Sequence, residues 1–195
     1  MKPLHFIKHA FKKLLLLGFY KRYVVKDLQI QEDIIQTLQV RGSKAQSKSL
    51  EKQFQHVMLY YPDYAYIFFW RINKLKYRWR GLFLESIPCK IFRNTKIAGG
   101  MLCYHPFATV INAKSIGTNF QFRNSLTIGN KGNDNSLLPT IGNNVTVGAN
   151  VVIIGDITVG SNVIIGAGAV VVKDVPSNCV IAGNPAQIIR GLDEI

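Results

Sequence analysis

The sequence has few cysteines, few acidic residues and no long apolar run. Its three cysteines, Cys89, Cys103 and Cys179, are odd in number and widely spaced, which excludes a disulfide scaffold and fits a reducing compartment. The apolar run at residues 14–17 falls far short of the ~18 residues needed to span a bilayer. No Cys/His spacing predicts a zinc site. We therefore expect a cytoplasmic protein without a metal.

Acidic residues are scarce in one half of the chain only. The sequence has 24 Lys and Arg against 11 Asp and Glu, a net charge of +13. Residues 1–96 hold 19 of the basic and 6 of the acidic residues, whereas residues 97–195 hold five of each. The first half is thus expected to face an anionic partner. No helix-turn-helix, zinc or RNP-type pattern accompanies the charge, so nucleic acid is not the expected partner.

The second half repeats every six residues. An aliphatic residue opens each hexad at Ile141, Val147, Ile153, Val159, Ile165 and Val171. The same phase extends upstream through Ile128, Phe122, Ile116, Val110, Cys103, Ile97 and Ile91, with one extra residue before Val110 and a long insertion before Ile141. A fixed short period indicates a solenoid, and one inward residue per short strand predicts a β-helix of triangular cross-section. We expect about four coils.

The N-terminal half predicts helices. Residues 1–26 alternate basic and large apolar side chains, a composition typical of a helix on an anionic membrane surface and equally of a helix packed on its own protein. Residues 27–86 predict a helical domain, with a break at residues 41–44 and Asp63 as N-cap of a helix over residues 64–76. The β-helix is expected at residues 87–184, followed by a tail at residues 185–195.

Several motifs resemble one enzyme family. They are Tyr-His-Pro at 104–106, Thr-Ile-Gly-Asn-Lys-Gly at 127–132, Val-Gly-Ala-Asn at 147–150, the stretch 165–176 ending in Lys-Asp-Val-Pro, and Ile-Ala-Gly-Asn-Pro-Ala at 181–186. Together they resemble the left-handed β-helix, hexapeptide-repeat acyltransferases, most closely the serine O-acetyltransferase branch. The resemblance implies a left-handed parallel β-helix, a homotrimer or a multiple of trimers, and acetyl-CoA bound in the groove between neighbouring solenoids.

The resemblance also implies roles for particular residues. His105, the only histidine of the repeat, matches the catalytic base that takes a proton from the acceptor hydroxyl. Backbone N–H groups at Gly129 and Asn130 would stabilise the oxyanion. The acetyl-CoA site would comprise these two residues and Gly148, Ala149, Ala167 and Lys173, with Arg190 as a further phosphate candidate.

The sequence departs from serine acetyltransferases where these bind serine. Tyr104 replaces the acidic residue before the histidine, Lys90 aligns with the carboxylate that orients the imidazole, and Leu137-Leu138 replace an Arg-His pair. A buried zwitterion without paired charges is costly, so serine is a poor candidate acceptor.

A sugar hydroxyl is the better candidate, because the insertion resembles that of acetyltransferases that modify capsule or exopolysaccharide. Tyr104, Asn133, Asp134 and Asn135 would bind this carbohydrate acceptor, although the last three suit a purely structural polar loop equally well. Leu137 and Leu138 would form an apolar wall beside the acceptor. The alternatives are a serine acetyltransferase with a substituted acceptor site and a non-catalytic β-helix scaffold.

Overall fold

The computed structural model describes residues 3–73, 79–84, 87–132 and 134–192. The chain divides into two compact units, residues 1–86 and 87–195. We call them the helical unit and the solenoid.

The helical unit contains four α-helices: α1 Pro3–Phe19, α2 Leu28–Val40, α3 Leu50–Tyr60 and α4 Pro62–Arg71. A π-helical turn, Tyr20–Val24, follows α1, and 3₁₀ turns occupy Lys44–Ser47 and Arg80–Leu82. Asp27 caps α2, because its carboxylate accepts hydrogen bonds from the backbone N–H groups of Gln29 and Ile30 at 3.0 and 3.2 Å. Gly42, at φ 59°, lies in the break after α2, as its freedom to adopt positive φ allows.

Aromatic rings form much of the core of the helical unit. Phe68 of α4 lies 5.0 Å from Phe54 of α3 and 5.7 Å from Phe19 of α1, measured between ring centroids. Every residue of α4 from Asp63 to Trp70 is buried, as expected for a helix that is apolar on all sides. The sequence prediction for this helix was wrong at its start, because Tyr61 is the N-cap and Pro62 the first helical residue.

Part of the basic N-terminal segment belongs to this core. Leu16, Phe19 and Val24 are at most 9% exposed and belong to the same buried cluster as the aromatic rings. The segment thus packs on its own protein along one face, while Leu14 on the opposite side is 68% exposed. None of the helices in the described ranges combines the length and apolar content needed to cross a bilayer.

Parallel strands form three sheets along the solenoid. Sheet A consists of β1 Cys89–Ile91, β4 Thr109–Ile111, β7 Thr127–Gly129, β10 Val152–Ile154 and β13 Val170–Val171. Sheet B consists of β2 Lys96–Ile97, β5 Ser115–Ile116, β8 Thr140–Ile141 and β11 Thr158–Val159. Sheet C consists of β3 Leu102–Tyr104, β6 Gln121–Arg123, β9 Thr146–Val147, β12 Val163–Ile165, β14 Cys179–Ala182 and the antiparallel β15 Gln187–Gly191.

This arrangement confirms the predicted parallel β-helix. Each strand pairs in register with the strand one coil away, so that Ile91, Ile111, Ile128, Ile153 and Val171 form one buried column. Each such side chain contributes about 1.5–3 kcal/mol by leaving water. Sheet A has five strands, so the solenoid has about five coils where four were expected.

An asparagine ladder stabilises the corner between sheets B and C. The side-chain amides of Asn119, Asn144 and Asn162 each donate to the side-chain oxygen of the next asparagine, at 2.9, 2.9 and 2.7 Å, ending at Asn178. All four have φ between 54° and 61°, a left-handed conformation that asparagine tolerates better than most residues. The repeated Asn of the hexads is therefore structural.

The segment predicted as a tail folds back on the solenoid. β15 pairs with β14, for example at Val180 and Arg190, and covers the last parallel strand of sheet C. Its side chains remain open to solvent, with Ile188 and Ile189 57% and 61% exposed.

Candidate functional site

His105 lies at the corner where sheet C leads into sheet A, which we call the C–A corner. It follows β3 directly, it is exposed, and it has a φ of 49°. The backbone carbonyl of His105 accepts a hydrogen bond from the N–H of Phe107 at 2.7 Å, and Ala108 also has positive φ, at 52°. Two left-handed residues in one tight turn re-aim the chain and present the imidazole at the surface.

The corner at His105 is larger than the sequence predicts. Tyr104 pairs with Arg123 and Val110 pairs with Thr127, so six residue steps here match four steps in the next coil. The bulge thus contains two extra residues. The sequence shows only one because the following turn, from Ile111 to Ile116, is one step shorter than the turn from Ile91 to Ile97.

The hexad position assigned to Val110 was therefore wrong. Ile111 faces the core and is fully buried, whereas Val110 is 40% exposed on the outer face of sheet A. Lys90 occupies the same outer face, in register with Val110, and its Nζ lies 4.4 Å from the centroid of the Phe92 ring. A cation thus stands on this face at the position where the resemblance implies a carboxylate.

Arg123 and Asn124 lie one coil above Tyr104 and His105 and were missed in the sequence. The guanidinium of Arg123 lies 5.0 Å from the centroid of the Tyr104 ring, a cation–π distance. Asn124 follows Arg123 at the C–A corner, and its carbonyl accepts a hydrogen bond from the N–H of Asn150 at 3.1 Å. A search for polar residues one coil beyond His105, corrected for the bulge, would have found both.

Three of the predicted acetyl-CoA residues share the C–A corner with His105. Gly148 and Ala149 follow β9, and Ala167 lies one coil further, after β12. A Cβ at Gly148 would lie 2.6 Å from the backbone nitrogen of Ala167, so that coil stacking requires glycine at this position. The carbonyl of Ala149 accepts from the N–H of Gly168 at 2.8 Å. The small residues leave a shallow corner beside the exposed Ala167.

Gly129 and Asn130 lie at a different corner, where sheet A leads into sheet B. β7 ends at Gly129, whose carbonyl accepts a hydrogen bond from the N–H of Gly155 at 3.1 Å. Within one solenoid, the three-residue width of sheet A, about 10 Å, separates this A–B corner from the C–A corner. The structure thus does not bring Gly129 and Asn130 to His105 within one chain.

The insertion loop extends from the A–B corner and is held by its own polar side chains. Asp134 Oδ1 accepts hydrogen bonds from the N–H and the hydroxyl of Ser136, at 2.8 and 2.7 Å. These two bonds hold the pKa of the Asp134 carboxyl below its usual value. Asn130 donates to Asn135 Oδ1 at 3.1 Å, while Asn133 lies outside the described residues. Asp134 and Asn135 therefore have a structural role, whatever else they bind.

The two leucines of the insertion were expected to form an apolar wall beside the acceptor. Leu138 is only 6% exposed, because it is packed in the interior as the chain approaches β8. Leu137 is half-buried, and its backbone N–H donates to the carbonyl of Asp134 at 3.1 Å. The two leucines therefore do not form the expected apolar wall together, because Leu138 is buried in the interior.

Lys173 lies on the A–B side of the solenoid, just after β13. With Val172, Asp174, Pro185 and Gln187 it lines a cavity of about 170 Å³ at the C-terminal end of the solenoid. Arg190 is exposed in β15. The six predicted acetyl-CoA residues therefore divide equally: three lie along the C–A corner, two and three coils from His105, and three lie on the A–B side.

Comparisons with known proteins bear on the fold and on the likeness to known enzymes. Residues 139–173 match the model of the bacterial transferase hexapeptide family, described as six repeats. A protein of Escherichia coli K12 named as a colanic acid biosynthesis acetyltransferase, WcaB, is 49% identical over 86 residues, which cover 44% of this chain and 53% of WcaB. Chloroplastic serine acetyltransferase 1 of Arabidopsis thaliana is 41% identical over 109 residues, 55% of this chain and 35% of that protein.

A solved structure extends the likeness to most of the chain. Serine acetyltransferase of Neisseria gonorrhoeae superposes with a TM-score of 0.67 at 27% identity, over 89% of this chain and 70% of that one. By contrast, the chain spans only about half the length of WcaB. With the hexapeptide repeat and the parallel solenoid established, the chain resembles the hexapeptide-repeat transferases, and among them WcaB and the serine acetyltransferases.

Proposed function

We propose that the chain transfers an acetyl group from acetyl-CoA to a sugar hydroxyl of a surface polysaccharide. The observation that carries this proposal is the position of His105: an exposed imidazole on a two-residue bulge, at the same corner as Gly148, Ala149 and Ala167. The 49% identity to WcaB, whose name refers to colanic acid biosynthesis, supports a polysaccharide acceptor.

In the proposed mechanism, His105 acts as a general base. Its imidazole accepts the proton of the acceptor hydroxyl while that oxygen forms a bond to the thioester carbonyl carbon. Backbone N–H groups then stabilise the tetrahedral oxyanion. As the carbon–sulfur bond breaks, the imidazolium returns its proton to the leaving sulfur. The products are the acetyl ester and the free thiol, and no acyl-enzyme is required.

The proposed site is completed by a neighbouring solenoid. Because Gly129, Asn130 and Lys173 lie on the A–B side, a second copy must bring them to the C–A corner of the first. Closed rotational symmetry satisfies this requirement for every copy, and we therefore propose a homotrimer or a multiple of trimers. Light scattering at micromolar concentration measures the mass, and a monomer would contradict this assembly.

Serine remains a second candidate acceptor, because Arg123 is close to the site. Its guanidinium, 5.0 Å from the centroid of the Tyr104 ring, supplies the kind of cation that a serine carboxylate would need. The structural likeness to the N. gonorrhoeae serine acetyltransferase also favours this alternative.

Thiol release from acetyl-CoA distinguishes the two acceptors. L-serine is compared with sugars, nucleotide sugars and polysaccharide fragments by kcat/KM. We expect a carbohydrate to give the highest value; the sugar proposal fails if serine does and all carbohydrates stay at background. Arg123→Gln sharpens the result, because loss of the cation raises KM for serine and leaves KM for a neutral sugar nearly unchanged.

We also propose that the helical unit lies on an anionic membrane surface, where lipid-linked glycans would be accessible. Leu14 and Leu28, 68% and 72% exposed, and the cations Lys21 and Lys26 support this proposal. Because α1 also packs in the core, the test substitutes Leu14→Ser and Leu28→Ser instead of deleting the segment. Co-sedimentation with anionic vesicles should fall in this variant; unchanged sedimentation, or none for the original chain at low salt, would contradict the proposal.

A further inference from the structure

A basic cavity opens in the helical unit, and none of the residues considered for acetyl transfer lines it. It has a volume of about 400 Å³, within the ~300–1,000 Å³ typical of ligand sites. Its lining comes from α1, from α3 and from the segment before α3, and the polar members are Lys13, Lys48, Lys52, Gln55, His56 and Tyr60.

Within the described part of the chain, the lysines of the cavity form no ion pair. In the described part of the chain, the ion pairs are Arg71–Asp33 at 2.8 Å and Arg41–Asp63 at 3.5 Å, and none involves a lysine of the cavity. The carboxylate of Glu51 accepts a hydrogen bond from Gln55 at 3.0 Å. Three ammonium groups around one concave surface repel one another unless an anion lies between them.

His56 and Tyr60 give the cavity an ordered wall. The two rings lie 4.8 Å apart, centroid to centroid, and Nε2 of His56 lies 3.3 Å from the hydroxyl oxygen of Ser43. Partial burial and the nearby Lys48 ammonium lower the pKa of His56. Tyr60 is 65% exposed, so its ring and hydroxyl stand at the rim.

We propose that this cavity binds the diphosphate group of a phosphorylated ligand. Lysine ammonium groups bind phosphate as compact point charges, and the Gln55 amide and Tyr60 hydroxyl add neutral donors. Three lysines in one cavity of this size match two linked phosphates better than one. A concave, ring-walled site also favours a compact anion over an extended nucleic acid backbone.

This proposed site has no part in acetyl transfer, and binding of its ligand can be measured without an acetyltransferase assay. Inorganic pyrophosphate is titrated into the full chain by calorimetry at physiological ionic strength, where weak surface attraction is screened. The cavity variant is Lys48→Gln/Lys52→Gln. The matched control is Lys44→Gln/Lys96→Gln, which removes the same charge from two exposed lysines that do not line the cavity. Thermal unfolding verifies that both variants fold.

We expect pyrophosphate to bind the original chain and the control alike, and the cavity variant at least about tenfold more weakly, because two charge-assisted contacts are lost. Equal weakening in both variants would show nonspecific attraction and overturn the proposal.

A second arm identifies the source of the phosphate groups. Phosphatidylcholine vesicles with and without diacylglycerol diphosphate are co-sedimented with the same three proteins, in the presence and absence of pyrophosphate. Vesicle binding that requires the diphosphate lipid, Lys48 and Lys52, and that pyrophosphate competes away, indicates a lipid headgroup. Pyrophosphate binding without such vesicle binding indicates a soluble diphosphate. If pyrophosphate does not bind and vesicle binding is the same in both variants, the cavity has no such ligand.

Discussion

The two units of this chain achieve order in opposite ways. The solenoid repeats one contact, in which an aliphatic side chain packs on its equivalent one coil away, as in the column from Ile91 to Val171. The helical unit depends on contacts made once, such as the ring pair Phe54–Phe68 at 5.0 Å and the buried ion pair Arg71–Asp33 at 2.8 Å. Because the contacts of the solenoid repeat, its sequence has a period from which the fold can be predicted. The contacts of the helical unit occur once each and leave no period in the sequence.

The comparison also separates the candidate functions. In the solenoid, the proposed site lies where the repeat is interrupted: at the bulge after Tyr104 and at the insertion after Asn130. In the helical unit, the candidate ligand site is a concentration of charge, because the excess of basic over acidic residues lies entirely in residues 1–96. An interruption of the six-residue repeat and a local excess of basic residues are thus two different sequence features that indicate a candidate site.

The largest expected effect concerns the solenoid alone. His105→Asn should lower turnover about 10²- to 10⁴-fold, the range for loss of a general base. Asparagine is preferred to alanine because it tolerates the φ of 49°. Steady-state thiol release measures turnover, and an unchanged thermal midpoint serves as the folding control. Near-normal turnover would remove His105 from the mechanism.

The next effect should appear in the helical unit. Arg71→Met should destabilise it by about 3–5 kcal/mol, because Asp33, whose side chain is only 1% exposed, loses the cation that compensates its burial. Arg41→Met is the matched control, since its pair with Asp63 is longer and less buried. Both tryptophans, Trp70 and Trp79, lie in this unit, so their fluorescence follows its denaturation. Equal losses in the two variants would contradict a special role for the buried pair.

The smallest expected effects are changes in stability caused by the same type of substitution, glycine to alanine, in each of the two units. Gly142→Ala should destabilise the solenoid by about 1–3 kcal/mol, because the new Cβ would lie 2.7 Å from the backbone of Gly160. Gly18→Ala should instead stabilise the helical unit by up to about 1 kcal/mol, since a Cβ there meets nothing within 4 Å and alanine favours α1. Circular dichroism of the strands and tryptophan fluorescence follow the two units. Opposite signs are expected, and equal signs would refute the packing argument.

Much of the solenoid could be predicted from the sequence, although not its irregular corner. The inward positions at Ile128, Ile153 and Val171 follow from the period, since every sixth side chain points inward. Val110 was misplaced because two compensating irregularities, a bulge and a short turn, leave only their net difference in the sequence. Arg123, by contrast, follows from the predicted phase, because Phe122 stands three hexads after Cys103; it was overlooked as a neighbour of Tyr104.

The helical unit was less predictable in its details. The break at residues 41–44 follows from local signals, and α2 ends just before it, at Val40. The start of α4 was predicted two residues late, because Asp63 is not the cap but the second helical residue, and it is buried beside Arg41. Nor does composition show that Leu16 and Phe19 would be buried while Leu14 remains exposed.

The sequence by itself determined the repeat, the division of charge between the two halves and the single histidine of the solenoid. These are properties of residue order, since period and charge can be read without coordinates. Only the tertiary structure decided which predicted residues share a corner, that Gly148 is required by coil stacking, and that Lys13 joins Lys48 and Lys52 in one cavity. Such groupings join residues far apart in the chain, because they depend on the register of coils and on the packing of helices.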